Sequence, residues 1–272
     1  MIRLGAQVIA VHPELCAALA AKNFFVVRFD NRDAGLSTHL YDAPMPDRDA
    51  AMAGDLSSIS YRLEDMADNA VGLLDTLGLH QAHVVGFSLG GMIAQTMAIT
   101  HPGRVRSLTS VMSTPWIGLI SPTAAVQQAL VTVLTSPPAT RAESVEQAVA
   151  LHKVIGSPGY PMDKVRIREA AGQSYDRSFD LIGIARQRLA VFASDDRTGT
   201  LAHVTVPALV VHGEADPLVP LSAGRATAAA LPNAELLTLP GMGHDLPRQI
   251  WPTLVAAISQ LADRAEPSSP RK

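Results

Sequence analysis

The sequence predicts an α/β fold with a mostly parallel sheet and an inserted helical cap. Three observations carry that prediction. Short β-rich apolar runs alternate with amphipathic helical segments, which is the pattern of a parallel sheet covered on both faces. The alternation stops for one long helix-rich stretch and then resumes. Finally, 272 residues with 47% hydrophobic side chains suffice for one compact unit with a sizeable core.

The elements follow in order. Apolar residues at helical spacing predict a helix over Pro13 to Lys22, then a strand over Phe24-Phe25-Val26-Val27-Arg28-Phe29 and a turn from Asp30 to Gly35. Tyr61 to Leu77 is amphipathic, with Leu63, Met66, Ala70, Leu73, Leu74 and Leu77 on one face, and leads into a buried strand at Ala82 to Gly86. A helix over Met92 to Thr100 runs through Pro102-Gly103 to a strand over Ser107 to Met112. Residues 115–200 read as the cap, punctuated by Ser136-Pro137-Pro138 and Gly156-Ser157-Pro158-Gly159, between core segments 1–114 and 201–262. The rhythm resumes with a strand at Pro207 to His212, a helix at Ser222 to Ala230, a strand at Glu235 to Leu239 and a helix at Trp251 to Ala262. The tail, 263–272, is predicted to be disordered.

Composition removes several function classes. A formal charge of −3 gives no basic field for nucleic acid. No run approaches the roughly 18 apolar residues of a membrane helix, and His12-Pro13-Glu14 interrupts the first apolar run before it could act as a signal sequence. A cytoplasmic protein with no membrane partner is therefore expected. The lone Cys16, within Leu15-Cys16-Ala17-Ala18-Leu19, reads as a buried thiol. No metal-ligand cluster and no dinucleotide fingerprint is present, so neither metal nor cofactor is expected. The oligomeric state is left open.

Gly86-Phe87-Ser88-Leu89-Gly90 matches G-x-S-x-G between a predicted strand and a predicted helix. At such a turn a serine is held in a strained conformation that projects its hydroxyl, with small flanking residues to let the backbones pack. A serine alone is a weak nucleophile and needs a base and a group that orients the base. Asp216, in Gly213-Glu214-Ala215-Asp216-Pro217, follows one predicted strand, and His244, in Gly241-Met242-Gly243-His244-Asp245, follows the next. In a parallel sheet these loops open at the same edge as the serine turn. Ser88, Asp216 and His244 are thus the candidate catalytic triad, with Glu214 as the rival acid and Asp245 as a local turn residue. The candidate oxyanion donors are the backbone N–H groups of Leu89 and of Leu4 in Arg3-Leu4-Gly5-Ala6-Gln7. Trp116, Ile117 and Phe192 in the cap are candidate substrate-pocket residues, and Met162, Ile182 and Ile184 are also apolar enough to line a pocket, although cap core is the commoner role for each.

These segments, together with Phe29-Asp30-Asn31-Arg32-Asp33-Ala34-Gly35-Leu36-Ser37, resemble the α/β-hydrolase superfamily. Within it they are similar to bacterial serine esterases of the aclacinomycin methylesterase and mycobacterial lipase/esterase type. The resemblance implies that fold, the same triad and a small-molecule carboxylic ester as substrate. Serine at 88 separates the chain from the branches that place aspartate there, the dehalogenases and epoxide hydrolases. It also implies two or three strands ahead of the oxyanion loop, a stretch that in this sequence would precede Met1, and a glycine where Arg3 stands. A sheet without its N-terminal strands, and a loop around Leu4 with no strand to fasten it, are therefore expected. Enol-lactone hydrolysis or perhydrolase chemistry would use the same triad. A truncated, non-catalytic binding protein is the remaining reading.

Overall fold

The computed structural model describes residues 1–266. At its centre lies a four-stranded sheet, entirely parallel, in the order β1 (Ala82–Phe87), β2 (Val105–Val111), β3 (Ala208–Gly213), β4 (Ala234–Leu239). One row of paired residues runs across it: Phe87 with Val111, Val111 with Val211, Val211 with Leu237. The register therefore brings all four strands to a common C-terminal edge, so that the loops leaving them share one side of the molecule.

Successive residues of β3 point to opposite faces, as the period of a strand requires, and each face has its own core. Ala208 and Val210 join the cluster built by helices α3 (Leu63–Thr76) and α4 (Leu89–Thr100), whereas Leu209 and Val211 join the cluster built by α1 (Pro13–Ala20) and α11 (Trp251–Ala265). Leu254 and Leu261 of α11 are fully buried. Truncating either to alanine removes packing worth about 2–5 kcal/mol.

Between β2 and β3 the chain makes one helical excursion: α5 (Ala124–Thr135), α6 (Arg141–Ile155), α7 (Lys164–Arg177), α8 (Leu181–Phe192) and the short α9 (Thr198–Leu201). Four of these start where the sequence offers a side-chain acceptor. Thr123, Thr140, Asp163 and Asp180 accept from the backbone N–H of Val126, Glu143, Arg166 and Gly183, each cap being worth about 1 kcal/mol. The excursion closes on itself, because the Arg197 N–H donates to the Pro115 carbonyl at 3.2 Å and its guanidinium to the Thr114 carbonyl at 3.1 Å. The short α2 (Arg48–Met52) and α10 (Leu221–Ala230) complete the helices. No helix among the described residues is long and apolar enough to cross a membrane.

The structure corrects several expectations. Phe24 to Phe29 is extended but forms no strand. A strand exists only through a ladder, and on the edge of β1 away from β2 the described residues pair only Met1, whose N donates to the Val85 carbonyl at 2.8 Å and whose carbonyl accepts from Phe87 at 3.1 Å. Phe25 and Val27 consequently stay exposed. Cys16 is only half-buried, since Leu15 takes the core-facing position of α1 and the next residue is rotated about 100° away. Leu77, just past the end of α3, faces solvent. Helix α11 runs to Ala265, three residues into the expected tail, where Arg264 pairs with Glu235; positions 267–272 lie outside the described residues.

Candidate active site

Ser88 sits between the end of β1 and the first residue of α4 with φ 53° and ψ −115°, a region that non-glycine residues avoid. Its neighbours explain how so tight a turn is tolerated. A Cβ on Gly86 would come within 2.0 Å of the Gly90 carbonyl oxygen, and one on Gly90 within 2.4 Å of the Met1 carbonyl. Ser88 itself is tied to the adjacent strand, its N–H donating to the Val111 carbonyl at 2.9 Å and its carbonyl accepting from the Ser113 hydroxyl at 2.8 Å.

Asp216 follows β3 by three residues and is buried. Its Oδ1 accepts from the backbone N–H groups of Leu218 and Val219, both at 2.9 Å, which leaves Oδ2 aimed at His244 Nδ1, 2.8 Å away. The other imidazole nitrogen, Nε2, lies 2.9 Å from Ser88 Oγ. His244, after β4, is held by the helical excursion: its N–H donates to the Ile155 carbonyl at 2.7 Å, and Gly159 donates to the Gly241 carbonyl at 2.9 Å. The flanking Gly243 N–H donates to Ser157 Oγ, whose own proton goes to Asp245. Asp245 thus clamps the loop from outside the Ser88–His244–Asp216 line. Glu214 is exposed and accepts from Thr238 at 2.9 Å. His212, buried behind Asp216, spends its Nε2 proton on the Val219 carbonyl at 2.9 Å, and burial pushes its pKa below the ordinary imidazole value.

The loop carrying Leu4 adjoins this line, and side chains fasten it although no strand does. Asn31 donates to the Ile2 carbonyl at 3.1 Å. The Gly5 N–H donates to Gln187 Oε1 at 2.9 Å, while Gln187 Nε2 donates to the Arg32 carbonyl at 2.6 Å. Asp30 Oδ1 accepts from the Val8 N–H at 2.5 Å, and its Oδ2 accepts from Leu36 and from the Arg177 guanidinium. Gln7 in turn donates to the Ser174 and Ser178 carbonyls, both at 2.7 Å. The run beginning at Asp30 is therefore a brace: Gly35 has a positive φ of 58° and lies against the Asp30 carboxylate, where a Cβ would approach to 2.2 Å. The N–H groups of Leu4 and Leu89, the candidate oxyanion donors, carry no hydrogen bond among the described residues.

A family model for the alpha/beta hydrolase fold matches residues 7–153, more than half of the chain. The chain belongs to the α/β-hydrolase family. A second model, for the TAP-like protein, matches residues 190–253 of this α/β-hydrolase. Rhodomycin D methylesterase from Streptomyces sp. (strain C5) is 28% identical to it over 265 residues, covering 90% of this chain and 83% of that protein. The enzyme of the same name from Streptomyces peucetius matches with the same identity and coverage. Among solved structures, the enol-lactonase from Burkholderia xenovorans LB400 superposes with a TM-score of 0.72 at 21% identity, over 97% of this chain and 89% of that one, a likeness of fold.

Ser88 and His244 of this α/β-hydrolase open into a cavity of about 1070 Å³ between the sheet edge and the helical excursion. Its apolar wall includes Phe87, Met112, Leu151, Met162 and Ile184, and Leu4 lies on its rim. Trp116, Ile117 and Phe192 are not among its lining residues, contrary to expectation. The Trp116 ring folds over Gly118 instead, where a Cβ would come within 2.4 Å of it. Phe192 lies eight residues beyond Ile184 on α8, about 12 Å along the helix. What the sequence reading missed is the brace: Gln187, Asn31 and Asp30 act on backbone more than twenty residues away, Arg177 acts on the distant side chains of Gln7 and Asp30, and no local pattern announces such pairs.

One group of side chains, Asp33, His39 and Asp180, has ligand atoms within 4.8 Å of one another. Both nitrogens of His39 already face acceptors, Nδ1 toward Asp180 Oδ2 at 2.6 Å and Nε2 toward the Gly35 carbonyl at 3.0 Å. Asp33 Oδ1 accepts from the Leu40 N–H and faces the buried guanidinium of Arg186 at 3.4 Å. This is the hydrogen bonding of an imidazolium, whose two N–H groups leave no lone pair for a metal. Burial pulls the His39 pKa down, but the Gly35 carbonyl and the Asp180 carboxylate outweigh it and hold the pKa above the ordinary value.

Proposed function

We propose that this protein is a serine hydrolase that cleaves a small-molecule carboxylic ester through an acyl-enzyme intermediate on Ser88. The observation that carries the reading is the continuous hydrogen-bond line from Ser88 Oγ through His244 to the buried Asp216, with contacts of 2.9 and 2.8 Å. It sits at the floor of a largely apolar cavity. The family membership and the rhodomycin D methylesterases among the relatives support an ester, and a methyl ester in particular, as the bond cleaved.

The chemistry follows from the atoms. His244 Nε2 takes the Ser88 proton as Oγ attacks the acyl carbon, and Asp216 stabilises the resulting imidazolium and fixes its orientation. Negative charge gathers on the former carbonyl oxygen, where the N–H groups of Leu89 and Leu4 are the candidate donors. The imidazolium then protonates the departing alcohol. Water, deprotonated by His244, attacks the acyl-enzyme and releases the acid, restoring Ser88.

A fluorophosphonate probe, which reacts only with an activated serine, tests this together with hydrolysis of methyl and p-nitrophenyl esters. The wild-type protein is expected to be labelled at Ser88 and to turn over esters. Ser88→Ala is expected to lose labelling and several orders of magnitude in kcat. A Ser88→Ala protein that hydrolyses esters at the wild-type rate would refute the reading.

A further inference from the structure

Of the charged side chains that line the cavity above Ser88, most are committed, and Lys153 is exposed to solvent. Asp180 caps α8 and holds His39, Asp163 caps α7, Asp245 accepts from Ser157, and Arg166 donates to the Ile9 carbonyl at 2.6 Å. Arg3 is different. It lines the cavity and is only partly exposed, yet among the described residues its guanidinium has no hydrogen bond and no carboxylate within ion-pair distance. Burial depresses its pKa and the more distant Asp245 opposes that, while Arg3 in turn helps keep the nearby His152 neutral. An arginine starts so high that it stays charged at neutral pH.

A partly exposed guanidinium with no acceptor from the protein is available to a ligand, and its planar fork matches a carboxylate with two parallel hydrogen bonds. Its location fixes what it would touch. Arg3 directly precedes Leu4, the candidate oxyanion donor, and stands two residues after Met1, whose carbonyl is bonded to Phe87 beside the nucleophile. Arg3 and Ser88 line one cavity, so an anion held by Arg3 would belong to the molecule whose ester faces Ser88.

We infer that Arg3 is a specificity-determining residue that binds a free carboxylate carried on the acyl side of the substrate, so that the preferred substrates are monoesters of short dicarboxylic acids. This deepens the esterase reading and rests on it. In the overall reaction with monomethyl glutarate, the acyl C–O bond breaks, water supplies hydroxyl to the acyl carbon and a proton to methanol, and glutarate leaves.

The test compares monomethyl glutarate with its neutral counterpart methyl pentanoate, and 4-acetoxybutanoate with butyl acetate, by pH-stat. The wild-type ratio of kcat/KM, acidic to neutral, is expected to be on the order of 10- to 100-fold for the first pair, carried by KM, and near unity for the second. In Arg3→Gln the first ratio should fall toward unity, and Arg3→Lys should restore part of it. A wild-type ratio near unity for the first pair, or one unchanged in Arg3→Gln, overturns the inference, and a preference confined to 4-acetoxybutanoate overturns its acyl-side assignment. Calorimetric titration of monomethyl glutarate into Ser88→Ala and into Ser88→Ala/Arg3→Gln separates this from the esterase reading. If no ester is turned over, the esterase reading fails. Binding at least tenfold weaker in the double variant then still supports the Arg3 site, whereas equal or undetectable binding in both removes it.

Discussion

Ser88, Asp216 and His244 were legible in the sequence because the chemistry constrains residue type and the fold constrains place: each follows a strand, and parallel strands end at one edge. The choice between Asp216 and Glu214, two residues apart, rests on geometry that spacing alone does not give. Asp216 is buried with both oxygens committed, one of them to His244, while Glu214 faces solvent and Thr238. Asp216→Asn is expected to lower kcat by about 10⁴-fold, because the amide favours the wrong imidazole tautomer. Glu214→Gln should stay within a fewfold of wild type. Steady-state kinetics on one ester checks both, and the reverse order would reassign the acid. Arg3 shows the other side of legibility: its departure from the glycine that the resemblance implies is visible in the sequence, but that its charge has no partner among the described residues is visible only in three dimensions.

At the level of the elements, α8 reaches into the active-site loop. Gln187 is completely buried and bridges the Gly5 N–H to the Arg32 carbonyl, so one amide fixes the loop that presents Leu4 against the brace. Gln187→Leu fills a similar volume but leaves a donor and an acceptor unpaired, a loss of about 1–3 kcal/mol for each buried group. As a positioning residue it should also cost about 10- to 100-fold in kcat with little change in KM, since a displaced oxyanion donor weakens the transition state more than the ground state. Gln187→Glu keeps the acceptor for Gly5 and should retain more of kcat than Gln187→Leu. Equal turnover in both variants would limit Gln187 to a structural part. The elements themselves were largely legible, because helices with side-chain caps and strands buried on two faces write their periods into the sequence. Phe24 to Phe29 differs for the same physical reason in reverse: its β-rich composition is real, but a strand is a property of two segments, and no second segment among the described residues pairs with it.

Across the whole molecule, the sheet unit and the helical excursion are joined at polar contacts, including the buried pair Arg186 with Asp33 and the half-buried pair His39 with Asp180. The second contact is sensitive to pH. The His39 pKa is raised on folding, so its contribution is fully present below the ordinary imidazole value of about 6.5 and fades as pH rises through the folded-state value. Burial pulls the Asp180 pKa up, but the Gly183 N–H and His39 outweigh it and set the pKa below the ordinary carboxylate value, so its contribution is lost only in acid. His39→Ala should therefore lower the thermal midpoint more at pH 5.5 than at pH 8.5, as followed by circular dichroism. Identical losses at the two pH values would mean that His39 is not charged in the folded protein. The hydrogen bond from Arg197 to Pro115 has a wider consequence. Because the chain leaves the sheet and returns to it at one spot, the segment between is a cartridge, and nature or an engineer can exchange it for another without asking the strands to move. A transplanted cartridge would have to bring its own counterparts of Gln187, Arg177 and the Ser157 clamp, since the sheet supplies Ser88 but the cartridge must hold the loops that carry His244 and Leu4 in place.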